Sequence, residues 1–288
     1  MEYKCKNNGI VVTGADSFNI THTFTCGQCF RWVKEQDGSF TGIAHGRAVN
    51  IADCDGGFVI NNTTQEDFNR IWRNYLDLDT NYTEIKNGFL HDEYLKKAIS
   101  FGGGIHILNQ DIFECLISFI ISTQNQIPRI MKIVSVLSQM FGGKISCNGK
   151  IYYAFPTLKQ LQNVKESDLA ELKAGYRAEY IVDAVNKILY GDVDLYSIEK
   201  YDIDKARAEL MKIKGVGPKV ADCVLLFSAK KSNAFPIDVW VKRTMKNLYL
   251  GDKATNMQIL EFAQTHFGKF AGMAQQYLFY YSRENSLK

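Results

Sequence analysis

The chain has 288 residues, of which 46% are hydrophobic, and a formal net charge of +3. This length and composition are sufficient for a buried core and for two domains. The sequence contains no apolar run of the roughly 18 residues that a membrane span needs, and its first residues lack the pattern of a signal peptide. We therefore expect a soluble intracellular protein, in which any basic surface is local rather than global.

Cysteine usage agrees with a reducing compartment. The number of cysteines is odd and they are scattered through the chain, which does not suit a disulfide framework. They are Cys5, Cys26, Cys29, Cys54, Cys115, Cys147 and Cys223. Cys26 and Cys29 form a CGQC pair that could indicate a redox or zinc site, but no second pair accompanies it. We favour two small, partly buried residues.

The first part of the chain reads as β structure. Between Gly9 and Ile60, short β-rich runs alternate with turn signals, which predicts an antiparallel meander. From Thr64 onward the apolar residues recur at helical spacing, and Thr64 with Asp67 resembles a capping box. The segment FGGG at 101–104 is the best candidate for a linker. An N-terminal domain of residues 1–104 is therefore predicted.

The second domain, residues 105–288, is predicted to be helical, so that the fold class is α+β. Asp111 and Glu114 form a start signal ahead of a strongly apolar helix, which we expect at the centre of this domain. The remaining helices are predicted near 127–141, 157–162, 167–173, 178–190, 204–213, 218–229, 238–248, 256–266 and 271–283.

The stretch KIKGVGPKVADC, residues 212–223, predicts a helix, a tight hairpin and a second helix. Gly215 and Gly217 are free to take positive φ, and Pro218 suits the first turn of a helix. Amides of such a hairpin can bind a phosphate beside the positive end of the helix dipole. Lys219 lies at this same end, where a cation is disfavoured. We therefore ask whether Lys219 works as a neutral amine.

With FPIDVW at 235–240, the hairpin resembles the helix–hairpin–helix DNA glycosylases that use a catalytic lysine, and most closely the bifunctional 8-oxoguanine DNA glycosylases. Further matching segments follow in the same order along most of the chain: TCGQCFRW at 25–32, FECLISFIISTQNQIPRI at 113–130, GYRAEYI at 175–181 and AGMAQQYLF at 271–279. The resemblance implies a β-rich, TBP-like N-terminal domain packed on a helical domain, with DNA bound across their junction.

The resemblance also implies a chemistry for two residues. Lys219 would attack the sugar C1′ as an unprotonated amine and form a Schiff base, which explains strand cleavage by β-elimination. Asp238 would stabilise the positive charge that develops on the sugar. In the hairpin, the backbone at Gly215, Gly217 and Val220 would bind DNA phosphate.

Recognition of the damaged base is assigned by the same resemblance. Phe279 and Cys223 would sandwich the flipped ring, and Gln275 would read its pairing edge. The carbonyl of Gly27 would accept the hydrogen on N7, where guanine instead offers a lone pair. Pro236 is expected to line the same pocket.

The partner base would be read from two helix starts. The residues involved are Gln124, Asn125, Arg129, Tyr176 and Arg177. The arginines could bind an unpaired cytosine, and Tyr176 could wedge into the gap that flipping leaves. The chain departs from the family at Gln124, where an asparagine is expected, and at Trp240, where a phosphate-contacting histidine can occur. A preference for cytosine is still predicted.

Each of these residues also has a purely structural interpretation. Lys219 could be a solvated residue paired with Asp222 or Asp238, and Asp238 could be an N-cap. Phe279 could belong to the core, Cys223 to a helix contact, Gln275 to a solvated face and Gly27 to a simple turn. Both arginines could bind phosphates only.

The alternatives for the whole protein are a monofunctional alkylated-base glycosylase and a non-catalytic helix–hairpin–helix DNA-binding protein. The former would lack Lys219, and the latter would need neither Lys219 nor Asp238. The iron–sulfur branches of the superfamily are excluded because their cysteine cluster is missing from the sequence. We expect a monomer that binds 8-oxoguanine DNA, cytoplasmic or in the nucleoid if bacterial. It needs no cofactor apart from a structural monovalent cation at the hairpin.

Overall fold

The computed structural model describes residues 1–15 and 17–285. Its N-terminal part is a six-stranded antiparallel sheet in the order β1-β2-β6-β5-β4-β3. The strands are β1 Glu2–Lys6, β2 Gly9–Thr13, β3 Trp32–Lys34, β4 Phe40–Ala44, β5 Arg47–Cys54 and β6 Gly57–Asn61. The predicted meander is confirmed from β3 to β6. Strand β1 was missed, and four of its five side chains are exposed.

One face of the sheet is buried because apolar residues alternate along its strands. Ile60 of β6 lies opposite both Ile10 and Ile51, and Ile51 in turn lies opposite Phe40. All four side chains are at most 1% exposed. Burial of one such side chain contributes about 1.5–3 kcal/mol, so this row fixes the register of the sheet.

The helices account for most of the remaining chain, and the predicted ones after residue 120 are confirmed to within a few residues. The α-helices are α1 Ile20–Thr25, α2 Gln65–Asp67, α3 Arg73–Tyr75, α4 Tyr82–Phe89, α5 Glu93–Gly102, α6 Ile112–Ile121, α7 Ile127–Phe141, α8 Leu158–Leu161, α9 Arg177–Leu189, α10 Ile203–Leu210, α11 Pro218–Ser228, α12 Val239–Met245, α13 Asn256–His266 and α14 Ala271–Glu284. Short π turns cover Phe68–Trp72 and Lys246–Leu250, and 3₁₀ turns cover Glu166–Leu172, Leu195–Lys200 and Gly268–Phe270. None of the helices in these described ranges is long and apolar enough to cross a membrane.

A small hairpin of two strands was not predicted. Strands β7 Lys144–Cys147 and β8 Lys150–Tyr153 pair with each other. Asn148 and Gly149 between them have φ of 50° and 73°. An Asn-Gly pair of this kind is a strong hairpin signal, which could have located the turn from sequence.

Both predicted start signals for helices are confirmed, although one of them is not a full capping box. The Asp111 side chain accepts a hydrogen bond from the Glu114 amide at 2.9 Å, and Thr64 caps α2 in the same way through the Asp67 amide. The Asp67 carboxylate, however, does not complete a capping box and binds Arg47 at 2.8 Å. As expected, α6 is central, with eight of its ten residues buried.

The packing divides the molecule into two cores. The sheet core draws on residues from Ile10 to Leu78 together with Leu108. The helical core contains Cys26 and Phe30 from the loop after α1, and otherwise residues from Tyr82 onward, including those of α4 and α5. The boundary predicted at residue 104 thus groups these two helices with the sheet, although their side chains pack with the helical layer. The segment 101–104, expected as a linker, is packed against the rest of the structure. A Cβ on Gly102 would meet the Tyr280 ring at 2.7 Å, and the Gly104 carbonyl accepts the Asn19 amide at 2.8 Å.

Candidate active site and DNA-facing surface

The predicted helix–hairpin–helix is present between α10 and α11. Gly215 has a φ of 78°, and a Cβ there would lie 2.1 Å from the ring of Tyr180, so only glycine fits. Gly217 differs from the prediction, because its φ of −100° and ψ of −177° are extended and open to any residue. Gly217 is the N-cap of α11 without a side-chain cap hydrogen bond. The first amides of this helix are therefore free of side-chain caps.

The roles of Gly215 and Gly217 can be distinguished experimentally. Gly215→Ala is expected to destabilise the fold by about 1–2 kcal/mol from the backbone alone, and further through the contact with Tyr180. Gly217→Ala has open space for its Cβ, so its melting temperature should match the wild type. If phosphate approaches the hairpin as predicted, Gly217→Ala should nevertheless weaken DNA binding. Thermal unfolding and fluorescence anisotropy with duplex DNA measure the two effects, and unchanged affinity would contradict the phosphate assignment.

Lys219 lies in the first turn of α11, directly after Pro218 at the helix start. Its Nζ is 3.5 Å from the Ser122 Oγ at the end of α6 and 5.4 Å from the centre of the Phe119 ring. Its charge also acts to lower the pKa of the Cys223 thiol, one turn further along α11. Pairing with Asp222, one of the alternatives, does not occur, because that carboxylate binds Arg207 at 2.8 Å.

Asp238 faces the same space from the start of α12. Its carboxylate accepts the Val241 amide at 2.8 Å and caps the helix, as the structural interpretation proposed. Burial raises the pKa of the Asp238 carboxyl, while the Val241 amide and the charge of Lys219 act in the opposite direction. Capping therefore fixes the carboxylate beside Lys219, and both roles considered for Asp238 are compatible with its position.

Most residues assigned to the lesion pocket are buried. Cys223 and Gln275 are 3% and 4% exposed, and Pro236 is buried as well. Burial raises the pKa of the Cys223 thiol to about 12, so that it remains protonated. The Gln275 Oε1 is buried, and no described residue forms a hydrogen bond with it. The solvated interpretation of Gln275 is therefore wrong, and its amide has capacity for a ligand.

Gly27 and Phe279, which are also assigned to the lesion pocket, lie against each other. Gly27 has a φ of 91°, and a Cβ there would lie 3.2 Å from the Phe279 Cε1. Phe279 is only partly buried. The ring thus covers the backbone of Gly27, and a base that is to reach this glycine must displace the ring.

The loop that carries Gly27 is held through the carbonyls around it. Arg283 donates to the Thr25 carbonyl at 2.6 Å, Gln276 to the Cys26 carbonyl at 2.8 Å and Gln110 to the Gln28 carbonyl at 2.7 Å. Sequence reasoning missed all three donors, since they come from distant parts of the chain and belong to no local pattern. They hold the backbone on both sides of Gly27.

The CGQC pair is part of this loop and its first thiol is fully buried. Cys26 is 0% and Cys29 is 8% exposed, and burial raises the pKa of the Cys26 thiol to about 11. This agrees with the structural interpretation of the pair.

Two of the residues assigned to the opposite base, Arg129 and Tyr176, have exposed side chains. Arg129 is exposed at the start of α7, and one of its nitrogens donates to the Lys173 carbonyl at 3.1 Å. Tyr176 is 46% exposed just before α9. Both side chains can therefore reach a ligand that approaches this surface.

The other three residues organise the loop between α6 and α7. Arg177 is only 6% exposed and donates to the carbonyls of Thr123, Gln124 and Ala174. Gln124 is exposed with a φ of 47°. Asn125 binds the Ile121 carbonyl at 3.1 Å. In this conformation the guanidinium nitrogens of Arg177 donate to backbone carbonyls, whereas the guanidinium of Arg129 has further N–H donors that can bind a ligand.

Comparisons with known proteins agree with this geometry. A family profile described as the 8-oxoguanine DNA glycosylase N-terminal domain matches residues 10–116, and the profile of HhH-GPD superfamily base excision DNA repair proteins matches residues 117–268. The probable N-glycosylase/DNA lyase of Methanothermobacter thermautotrophicus is 32% identical over 78% of this chain and 77% of its own. The N-glycosylase/DNA lyase OGG1 of Arabidopsis thaliana is 31% identical over 89% of this chain and 75% of its own.

A solved structure is still more similar. It is the 8-oxoguanine glycosylase/lyase of Clostridium acetobutylicum in complex with double-stranded DNA containing cytosine opposite 8-oxoguanine. It shares 43% identity and a TM-score of 0.97, covering 99% of each chain.

A glycine hairpin between two helices, with a lysine in the first turn of α11 and an aspartate at the N-cap of α12, is typical of the helix–hairpin–helix DNA glycosylases. The match of residues 10–116 narrows the class further, since that profile describes the N-terminal domain of 8-oxoguanine DNA glycosylases. The chain belongs to the 8-oxoguanine DNA glycosylase/lyase family of base excision repair. This membership decides against a non-catalytic binding protein and a monofunctional alkylated-base glycosylase.

Proposed function

We propose that Lys219 is the nucleophile with which this enzyme releases 8-oxoguanine from DNA. The neutral amine attacks C1′ of the flipped nucleotide, the bond from C1′ to N9 breaks, and the base leaves with the bonding electrons and is protonated. The nitrogen loses its protons as the sugar ring opens to a Schiff base. Loss of a proton from C2′ then expels the 3′ phosphate, and water hydrolyses the Schiff base.

The observation that carries this proposal is the shared space between Lys219 and Asp238. The charge of Lys219 acts on the Asp238 carboxyl, which the helix cap holds in place. A fixed carboxylate stabilises a sugar that becomes positively charged, without having to reorganise. Reduction with borohydride during a reaction with an 8-oxoguanine duplex should trap a covalent protein–DNA complex.

The lesion would be bound between Phe279 and Cys223, with Pro236 beside it. Gln275 supports this proposal because its buried carbonyl oxygen accepts no hydrogen bond from a described residue. The pairing edge of 8-oxoguanine offers two donors, N1–H and an amino group. The Gly27 carbonyl would accept the N7 hydrogen and repel the N7 lone pair of guanine.

A preference for cytosine opposite the lesion is proposed on the same basis. The Clostridium acetobutylicum relative is described with that base pair. Arg129 has an exposed fork that suits the acceptors of cytosine. Arg177 would need to exchange its backbone partners to make a similar contact, so Arg129 is the stronger candidate.

Arg129→Met is expected to reduce the preference for cytosine by about 1–3 kcal/mol, roughly 5-fold to 150-fold, because a good bidentate contact to a base is lost. Single-turnover excision opposite each of the four bases measures this. Lys132→Met removes an exposed cation from the next turn of α7 and serves as the matched control, which should slow all duplexes alike or not at all. A similar uniform effect for Arg129→Met would mean that Arg129 binds phosphate only.

Excision is expected to need neither a redox cofactor nor a catalytic metal, because the lysine itself supplies the nucleophile. A monovalent cation would bridge hairpin carbonyls and a DNA phosphate. Base release should therefore persist in EDTA, and the affinity for DNA should depend on the identity of the monovalent salt. Loss of excision in EDTA that zinc or magnesium restores would contradict this.

We further propose that the enzyme acts as a monomer on double-stranded DNA, in the cytoplasm or nucleoid if its source is bacterial. A single elution volume that does not change with protein concentration in size-exclusion chromatography would support the monomer.

A further inference from the structure

The guanidinium of Arg283, in the last turn of α14, lies at the inner wall of the lesion pocket. Its Nη2 donates to the Thr25 carbonyl at 2.6 Å and to Glu284 at 2.8 Å. The guanidinium carbon is 5.3 Å from the centre of the Phe279 ring. The side chain is 17% exposed, so this cation faces the protein rather than solvent.

The second terminal nitrogen of Arg283 is buried without an acceptor. Its Nη1 has no hydrogen-bond partner within residues 1–15 and 17–285. A guanidinium is always charged and can only donate, so a buried nitrogen of this kind calls for an acceptor. Nη1 is also the atom nearest to the position of a Cβ on Gly27, at 3.0 Å. The unused donor therefore lies beside the backbone that is proposed to read N7.

The chemistry of the lesion matches this pair of groups. On its imidazole edge, 8-oxoguanine offers a hydrogen on N7 and, next to it, the carbonyl oxygen O8. Guanine offers a lone pair and a C–H at the same two places. We infer that Arg283 donates a hydrogen bond from Nη1 to O8, while the neighbouring Gly27 carbonyl accepts the N7 hydrogen. This inference rests on the lesion pocket proposed above.

Entry of the base would complete the arrangement. The Phe279 ring lies against both Gly27 and the Arg283 guanidinium, so that it covers the two groups together. When the ring moves aside and stacks on the base, both groups face the imidazole edge. With guanine in the pocket, Nη1 would stay buried and unpaired, which penalises the undamaged base.

Two other roles for Arg283 predict different results. If Arg283 only held the Thr25 carbonyl in place, its loss would lower the affinity for every DNA ligand and the thermal stability. As a source of positive charge near Asp238, whose carboxyl pKa it lowers, it would matter for rates on every substrate. Only a contact to O8 changes the ratio between damaged and undamaged DNA.

The experiment measures this ratio in the Lys219→Gln background, in which the base stays attached. Dissociation constants are compared for duplexes with 8-oxoguanine, guanine or a tetrahydrofuran abasic analogue, each opposite cytosine. Arg283→Met is expected to lower the preference for 8-oxoguanine over guanine about 10-fold, with little change for the abasic analogue. Arg283→Lys keeps the charge, but its single ammonium cannot replace both nitrogens that would bind the Thr25 carbonyl and O8. This variant should therefore also lower the preference. Glu284→Gln removes only the outer partner and should leave it unchanged.

If the Arg283 variants lost affinity equally for all three duplexes and had a lower melting temperature, the role of Arg283 would be structural and the inference would be overturned. A strong preference for 8-oxoguanine that neither Arg283 variant alters would overturn it as well, while leaving the proposed pocket intact. Absence of any preference when Arg283 is present would overturn both the pocket and the inference.

Discussion

Lys219→Gln is expected to abolish both base release and borohydride trapping, by about 1,000-fold or more, as when other enzymes lose their nucleophile. The amide of glutamine cannot form a Schiff base, although it nearly preserves the size of the side chain. DNA binding should persist, because the hairpin amides and the exposed Arg129 are untouched. Covalent capture and single-turnover excision are the measurements.

A second hairpin lysine provides the matched control for this variant. Lys214 lies five residues earlier (219 − 214) and pairs with Glu179 on α9. Lys214→Gln removes the same charge from the same hairpin, yet it should leave trapping intact and weaken DNA binding slightly at most. Undiminished trapping in Lys219→Gln would show that another amine is the nucleophile.

Asp238→Asn is expected to slow base release by about 100-fold to 1,000-fold, which is the usual cost of removing one electrostatic group from a transition state. Asparagine caps a helix as well as aspartate does, so the bond to the Val241 amide should survive. The substitution therefore removes the charge and keeps the local structure. Asp202→Asn, at the exposed N-cap of α10, is the control and should not change the rate.

The raised pKa of Asp238 gives stability and activity opposite responses to pH. Because burial raises the carboxyl pKa in the folded protein, the folded state binds a proton more tightly than the unfolded state does. Between the ordinary aspartate pKa and this raised one, stability thus falls as pH rises. Base release needs the ionised carboxylate and should fall as pH decreases through the raised pKa.

Asp238→Asn removes the titrating carboxyl and with it these opposite effects of pH on stability and activity. The variant should be at least as stable as the wild type near neutral pH, and its stability should depend less on pH in the acidic range. Thermal unfolding and single-turnover rates on one pH series test both statements. A variant that is clearly less stable at neutral pH would mean that the carboxylate, rather than its position as a cap, supports the fold.

The conformation of the hairpin could be read from sequence only in part. Gly215 was expected to adopt positive φ and does so, but the same expectation for Gly217 is wrong. The requirement for glycine at Gly215 comes as much from the Tyr180 ring, 35 residues earlier (215 − 180), as from the backbone. A local pattern carries no information about such a neighbour.

Local signals determined most of the secondary structure, because caps, turns and apolar periodicity act within a few residues. The segments that were missed are α1, α4, α5, β1 and the hairpin of β7 and β8, and α1 among them is held by a distant partner. Asn19, for example, caps α1 through the His22 amide at 2.9 Å, while its own amide binds the Gly104 carbonyl at 2.8 Å. Contacts of this kind exist only after the two layers have met.

The sequence by itself determined the class of chemistry, since a lysine after a glycine hairpin and an aspartate before the next helix are local features. Only the tertiary structure decided how the pocket is built. It buried Gln275, oriented the loop of Gly27 through Gln276 and brought Arg283 against this loop and the Phe279 ring. The physical reason is that burial and hydrogen-bond partners depend on which helix packs against which loop, and 256 residues separate Gly27 from Arg283 along the chain (283 − 27).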